Sequence, residues 1–209
     1  MNPRNFQKEL DTIITGLGQE TAPTLLLHAC CAPCSSYVLE YLSDYFEITL
    51  FFYNPNLNEE EEYERRKEEA RRFVREFPAK HPIHFLEGIY EPDIYLAEVK
   101  GLEKEPEGGA RCRKCFEMRL NESARICREY GLDYFTTTLT ISPLKNASLL
   151  NEIGEKAAER YSVRFLPSDF KKRNGFLRST ELSKEYHLYR QDYCGCSFSR
   201  RERERKKTE

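Results

Sequence analysis

The sequence predicts an α/β fold: a doubly wound, mostly parallel sheet of about five strands with a helical C-terminal extension. Two observations predict it. Short runs of apolar, β-branched and aromatic residues alternate with longer runs in which apolar residues recur at helical spacing, and the connections between these runs are short. The chain has 209 residues, which is most simply one domain with a tail to spare. We therefore expect a single α/β domain over residues 1–209.

The first part of the chain opens the predicted sheet. Asn5 to Leu17 has the apolar spacing of an amphipathic lead-in helix. Thr24 to Ala29 is short and uniformly apolar, as a strand covered on both faces should be, and Ser35 to Tyr45 continues as a helix. Phe46 to Tyr53 is rich in aromatic and β-branched residues, which predicts the second strand. The loop after the first strand then lies where open α/β sheets bind their ligands.

The other predicted elements continue the alternation. They are a long charged helix (Glu59 to Phe77), a third strand (His81 to Leu86), a short helix (Asp93 to Val99), a helix from Arg111 to about Tyr130, a fourth strand (Tyr134 to Ile141), a helix from about Asn146 to Tyr161 and a fifth strand around Val163 to Leu166. Residues 168–209 are polar and basic and lack a strand signal, and they contain Cys194-Gly195-Cys196 in a turn between two helical pieces. We expect this basic extension to pack back over the strand ends.

The composition of the chain predicts its cellular compartment but not its binding partner. The 33 basic and 35 acidic residues nearly cancel, so net charge predicts neither a nucleic-acid partner nor its absence. No signal-peptide pattern and no membrane-span pattern is present, so we expect a cytoplasmic protein without a membrane partner. Because that compartment reduces thiols, the eight cysteines indicate metal ligation or redox chemistry rather than structural disulfides.

Seven of the eight cysteines fall into three tight groups. These are Cys30, Cys31 and Cys34 after the first strand, Cys112 and Cys115 at the start of a helix, and Cys194 and Cys196 near the end. Three close-set groups in one small domain predict a metal site. Cys127 stands alone in a predicted helix and is interpreted as a small buried apolar residue.

The number of thiols favours iron-sulfur over zinc. A structural zinc site closes with four thiolates, which leaves three cysteines over. The adjacent Cys30-Cys31 pair and the Cys194-x-Cys196 pair also match structural zinc spacings poorly, and cluster proteins draw thiolates from separated segments. The preferred division gives a 4Fe-4S cluster to Cys30, Cys31, Cys112 and Cys115. Cys194 and Cys196 are then a redox pair able to form a disulfide, and Cys34 is a neighbour or a ligand of a second metal. Spacing alone does not force this division.

Six motifs carry a family resemblance. They are His28-Ala29-Cys30-Cys31-Ala32-Pro33-Cys34-Ser35; Phe52-Tyr53-Asn54-Pro55-Asn56 with Glu62-Tyr63 and Arg66; Arg111-Cys112-x-x-Cys115-Phe116; Thr137-Thr138-Leu139 with Ser142-Pro143-x-Lys145; Asp169-Phe170-Lys171-Lys172 with Gly175; and Tyr193-Cys194-Gly195-Cys196. With them the sequence resembles the cobalamin-independent epoxyqueuosine reductases, the QueH family, over most of its length. The resemblance implies reduction of the epoxide of epoxyqueuosine to queuosine at the wobble nucleotide of tRNA, the last step of queuosine biosynthesis.

The resemblance also implies a fold and partners. The family is similar in fold to the nucleotide α-hydrolase-like, Rossmann-like group, whose first loop is a glycine-rich phosphate binder. Here that loop is rich in thiols, which speaks against ATP use. Removal of an epoxide oxygen needs two electrons, so the cluster, a possible second iron that polarises the oxygen, a dithiol and an external electron donor fit the chemistry.

Candidates for substrate binding follow from a tRNA partner. Lys145, Lys171 and Lys172 are expected to contact the substrate, the first two from predicted strand ends near the cysteines. Tyr53 is a candidate for stacking on an unstacked base, although core packing explains it equally well. Two other classes stay open: an iron-sulfur tRNA sulfurtransferase, which would need nucleotide activation, and a non-catalytic, zinc-stabilised RNA-binding protein.

Overall fold

The predicted α/β architecture is confirmed. The structure, a computed structural model, describes residues 4–18 and 21–208. Its five strands are β1 (Thr24–Ala29), β2 (Glu47–Phe52), β3 (Ile83–Glu87), β4 (Tyr134–Thr137) and β5 (Arg164–Phe165). All pair in parallel, in the order β3-β2-β1-β4-β5. The chain runs outward from β1 to β3 and then returns to the other side of β1, so the topological switch point lies between β1 and β4, the usual place for a ligand.

Helices cover both faces of the sheet. In the described ranges they are α1 (Phe6–Thr15), α2 (Ala32–Leu42), α3 (Glu60–Glu76), α4 (Pro92–Glu98), α5 (Ala110–Glu129), α6 (Ala147–Tyr161), α7 (Gly175–Glu185) and α8 (Ser197–Thr208), with a 3₁₀ helix at Thr138–Ile141. Alternate residues of β1 enter two different cores: Leu25 and Leu27 pack on the side of α2 and α3, and Leu26 packs on the side of α5 and α6. This burial on both faces explains why β1 is apolar throughout.

Two predicted boundaries near the ligand-binding edge are wrong. β4 ends at Thr137, and the four residues predicted to extend it form the 3₁₀ helix. The Thr137 side chain accepts a hydrogen bond from the Leu139 amide at 3.1 Å, which turns the chain away from the sheet. α2 begins at Ala32 rather than Ser35, because Cys31 is its N-cap and a proline occupies its first turn. As a result Cys34 lies inside the helix.

The C-terminal residues form two helices, as predicted, with the Cys194-Gly195-Cys196 turn between them. α7 packs on α2, where Arg178 pairs with Glu40 at 2.6 Å. The division into one domain with an extension stays a prediction, and residues 1–3, 19–20 and 209 lie outside the described ranges. No helix in those ranges is both long and apolar enough to cross a membrane.

We expect Gly154→Ala to destabilise the protein by about 1–3 kcal/mol, because overpacking a core forces side chains out of place. A Cβ at residue 154 would lie 2.4 Å from the ring of Phe165, which joins α6 to β5. Urea unfolding measures the change. The exposed Glu159→Ala in the same helix is the control and should change stability by less than about 0.5 kcal/mol. Equal stability of Gly154→Ala and the parent protein would contradict this packing.

Candidate functional site

Three thiols meet at the carboxyl end of β1. Cys30 and Cys31 follow the strand directly, and Cys34 lies in the first turn of α2. Their sulfur atoms all lie within 4.8 Å of one another, with 3.8 Å between Cys30 and Cys31. The positive end of the α2 dipole faces this group and favours a thiolate.

Hydrogen bonds among the three thiols separate their pKa values. Hydrogen bonds from the Cys31 and Cys34 thiols hold the pKa of Cys30 well below its usual value. The same hydrogen bonding to Cys30 raises the pKa of Cys31 to about 12 and raises the pKa of Cys34 well above its usual value. Cys30 is therefore the first of the three to ionise, and its two neighbours act as donors to it.

A cavity of about 190 Å³ opens beside these thiols. One wall is the group Cys30, Cys31 and Cys34, and another wall contains Tyr193 and Cys194 from the C-terminal turn. Cys30 and Cys194 therefore line the same cavity, although they are 164 positions apart in sequence. Other lining residues are Pro33, Glu107, Arg119, Leu139, Ile141, Ser142, Pro143, Leu144, Lys145, Phe176, Ser179, Arg190, Gln191 and Asp192.

The remaining grouped thiols lie next to the C-terminal turn. Cys115 and Cys196 are buried in one small apolar cluster with Tyr95. Burial raises the pKa of Cys115 to about 12, and the charges of Cys194 and Cys196 act in the same direction on both Cys115 and Cys112. The structure therefore brings together the pairs from α5 and from the C-terminal turn, as the chemistry of a shared site requires.

Backbone amides also point at two of these sulfurs. The Gly108 amide donates to Cys112 Sγ at 3.2 Å, and the Ser199 amide donates to Cys196 Sγ at 3.4 Å. Such hydrogen bonds stabilise a thiolate or a metal-bound thiolate more than a neutral thiol.

Buried arginines surround the thiols. Arg66, Arg111 and Arg119 are each 1–2% exposed. Arg66 pairs with Glu62 at 2.6 Å, but within residues 4–18 and 21–208 neither Arg111 nor Arg119 has a carboxylate at ion-pair distance. A buried charge requires compensation, so these guanidinium groups need an anion that the carboxylates do not supply. Thiolates, or an anionic group that they hold, are the available source.

Arg119 joins the ends of two strands to the thiols. Its Nη2 donates to Asn54 Oδ1 at 2.7 Å, its Nε lies 3.2 Å from His28 Nε2, and its Nη1 lies 3.9 Å from Cys115 Sγ. Asn54 in turn donates to the Ala29 carbonyl at 2.9 Å. The loops after β1 and β2 are thereby fixed relative to α5.

His28 is a structural residue of this network. It is fully buried, and desolvation lowers its pKa to about 3, so the imidazole is neutral. Its ring nitrogens lie 2.9 Å from Thr137 Oγ1 and 3.1 Å from the Tyr53 carbonyl. His28 does not line the cavity, and both of its nitrogens are engaged within the protein.

Arg66 holds the C-terminal turn in place. Its Nη1 donates to the Cys194 carbonyl at 3.3 Å, and its guanidinium lies 5.2 Å from the centre of the Tyr193 ring. Gly195 has φ +133°, and a Cβ there would lie 2.6 Å from Leu57 Cδ2 and 3.0 Å from Arg66 Nη1. Only glycine fits both the backbone conformation and the space.

The predicted substrate residues are not all at the cavity. Lys145 lines it, whereas Tyr53, Lys171 and Lys172 do not. The Tyr53 ring stacks on Phe51 with 5.8 Å between ring centres and belongs to the apolar core, so it does not face the cavity. Lys171 lies 2.6 Å from Asp169, and Lys172 is exposed. Their roles as substrate contacts stay predictions.

Sequence reasoning missed Arg119, and it noted Arg66 and Arg111 only as parts of the family motifs, without a role. A signal for Arg119 was present, because it follows Cys115 by four positions and so shares its face of α5. Charged residues were common enough along this helix that the position did not stand out.

Comparison with known proteins agrees with the resemblance. The sequence model of the family described as "Epoxyqueuosine reductase QueH" matches residues 25–202. Proteins named epoxyqueuosine reductase QueH are 45% identical over 205 residues in Streptococcus pyogenes serotype M1, covering 95% of this chain and 80% of that protein, and 46% identical over 200 residues in Staphylococcus epidermidis, covering 93% and 84%. The protein of that name from Thermotoga maritima is 35% identical over 189 residues, covering 89% and 95%.

We expect Gly195→Ala to destabilise the protein by about 1–3 kcal/mol more than Gly101→Ala, since both residues have positive φ but only Gly195 lacks room for a Cβ. Urea unfolding of the two variants separates the steric conflict from the backbone strain that both share. Equal losses would show that the turn is not packed against Leu57 and Arg66.

Proposed function

The chain belongs to the epoxyqueuosine reductase QueH family, and on that premise we propose its reaction and the residues that perform it. The chain is an oxidoreductase that reduces the epoxide of epoxyqueuosine to the cyclopentene of queuosine at the wobble position of tRNA. The family match over residues 25–202 carries this assignment. The thiol-lined cavity at the switch point of the sheet supports it, because reduction needs a site for redox-active thiols or metals beside the substrate.

The two alternatives are not favoured. The similar proteins are named reductases, not sulfurtransferases or RNA-binding proteins. A purely structural zinc site also does not account for seven grouped thiols of which at least four line an open cavity.

We propose that Cys30, Cys31, Cys112 and Cys115 hold a 4Fe-4S cluster. The donor set is right for such a group, and the contact of Arg119 with Cys115 supports it. An anionic, thiolate-bound cluster would also balance the buried charges of Arg111 and Arg119. When bound, the cluster supplies single electrons to the reaction.

A second iron is proposed beside the cluster, with Cys34 among its ligands. The Cys34 sulfur lies within 4.8 Å of the sulfur atoms of Cys30 and Cys31, so an ion held by Cys34 would lie next to a cluster held by those two residues. Cys34 is partly exposed and lines the cavity, which suits a ligand close to the substrate.

Cys194 and Cys196 are proposed as the redox pair. Removal of an epoxide oxygen as water consumes two electrons and two protons, and oxidation of one dithiol to a disulfide releases both. Cys194 lines the cavity, and Cys196 is buried beside Tyr95, one glycine away. An external electron donor then returns the disulfide to the dithiol.

Lys145 is the proposed contact to the reacting part of the substrate. Burial acts to lower its pKa, but the charges of Cys194, Cys30 and Cys34 outweigh this and raise it, so the side chain stays an ammonium. From the cavity wall its Nζ can donate a hydrogen bond to the departing oxygen. Lys171 and Lys172 are proposed as phosphate contacts outside the cavity. The Tyr53 ring packs on Phe51 in the core, so it is not proposed to stack on a base. A cytoplasmic location is proposed for a protein that acts on tRNA.

The reaction is tested with tRNA that carries epoxyqueuosine. Anaerobically purified protein and a strong reductant should convert it to queuosine, detected after digestion to nucleosides. We expect Cys194→Ala to lose turnover at least a hundredfold, because the pair can no longer form a disulfide. No conversion by cluster-loaded parent protein would refute the reductase assignment.

The cofactor ligands are tested by iron content. We expect Cys112→Ala to lose iron, sulfide and visible charge-transfer absorption, whereas Cys194→Ala retains them. Cys127→Ala is the control, since Cys127 is a buried cysteine whose thiol donates to the Leu132 carbonyl at 3.3 Å, away from the site. A colourless protein with stoichiometric zinc, or iron loss in Cys194→Ala, would contradict the proposed ligand set.

A further inference from the structure

Three exposed apolar side chains lie at and beside the mouth of the cavity. Leu144, Phe176 and Leu177 are 78%, 40% and 57% exposed. Leu144 and Phe176 line the cavity, from the loop before α6 and from the first turn of α7, and Leu177 is next to Phe176 in sequence. Neighbouring exposed apolar groups at the entrance to a site indicate contact with a ligand.

The Phe176 ring is held in a fixed position. Arg190 places its guanidinium 5.6 Å from the centre of the ring, and its Nη1 donates to Ser183 Oγ at 3.0 Å and lies 3.3 Å from the Ser179 carbonyl. Gly175, directly before the ring, has no space for a Cβ, which would lie 2.0 Å from the Phe170 carbonyl. The start of α7 is thus packed tightly, while the ring itself stays open to solvent.

The charge around this patch favours an anionic, aromatic ligand. Lys145 and Arg190 both line the cavity, and within the part of the chain that the structure describes neither forms an ion pair with a carboxylate. The two acids of the wall are engaged elsewhere: Glu107 accepts from Ser199 Oγ at 3.0 Å, and Asp192 pairs with Lys207. An aromatic ring beside a guanidinium group, at a cavity that also holds an ammonium group, is a combination that binds an unstacked nucleobase and its phosphate.

The proposed reaction creates a need for such a contact. To reach the thiols, the wobble nucleotide must leave the anticodon stack and enter the cavity, and its neighbour then loses a stacking partner. We propose that Phe176, flanked by Leu144 and Leu177, is a stacking platform for the nucleobase adjacent to the wobble nucleotide. This inference rests on the proposed function, because it takes the tRNA to be bound with its wobble nucleotide in the cavity.

The test is the affinity for tRNA carrying epoxyqueuosine, measured by fluorescence anisotropy with cluster-loaded, full-length protein and no electron donor. Phe176→Ala and Phe176→Leu should each raise Kd about tenfold, because both remove the ring. Phe176→Tyr should stay within about twofold of the parent protein, since it retains the stacking face. Leucine keeps an apolar side chain, so the comparison with tyrosine separates stacking from simple apolar contact.

Tyr130→Ala is the matched control. Tyr130 is also an exposed aromatic residue, 56% exposed, but it lies about 27 Å along α5 from Cys112. Its variant should bind as the parent protein does. An unchanged Kd in Phe176→Ala, or an equal loss in the leucine and tyrosine variants, overturns the platform. Conversion of epoxyqueuosine by the parent protein is scored separately, so an unchanged Kd beside full conversion rejects the platform and leaves the reductase assignment standing.

Discussion

A single buried guanidinium group, that of Arg119, connects the fold to its chemistry. It is 1% exposed, and it contacts His28 of β1, Asn54 in the loop after β2 and the Cys115 thiol of α5. Leaving such a charge unbalanced in the interior would cost several kcal/mol. No carboxylate in the described ranges lies at ion-pair distance from it, and its charge helps to lower the pKa of Cys30. The residue that fixes the strand ends therefore also favours a thiolate at Cys30.

The need to balance a buried charge also explains how the C-terminal turn reaches the site at the end of the first strand. Arg66 is buried with one Nη atom bonded to the Cys194 carbonyl and the other without a hydrogen-bond partner among the described residues. Burial acts to lower the pKa of Arg66, whereas its interactions with Cys31 and Glu62 act to raise it. α3 thus holds the turn over the thiols from one side, while α5 presents Cys112 and Cys115 from the other. Buried charges that need a partner thus bring α3, α5 and the C-terminal turn together, although they are far apart in sequence.

The sequence was most informative where one physical pattern dominates. Thr24–Ala29 is a strand because it is buried on both faces, and its bounds were predicted correctly. The end of β4 was predicted wrongly, because the hydrogen bond from the Leu139 amide to Thr137 outweighs the β propensity of the following residues. The direction of a side chain is equally hard to predict: Tyr53 follows a strand end as a site residue should, yet its ring packs on Phe51. Arg119 was missed because its role depends on contacts among β1, the loop after β2 and α5, and no local sequence pattern predicts such contacts.

Cys127 shows that position, rather than residue type, decides what a cysteine does here. Like Cys30 it is buried, and burial raises its pKa to about 11, with a carbonyl as its hydrogen-bond partner. Cys30 lies at a helix N-terminus, receives hydrogen bonds from two thiols and faces the positive charges of Arg119 and Lys145, so its pKa falls. The Cys31 sulfur lies 3.8 Å from its own. The switch point of the sheet, which in related folds binds phosphate through a helix N-terminus, here places the same positive helix end beside thiols and favours the Cys30 thiolate.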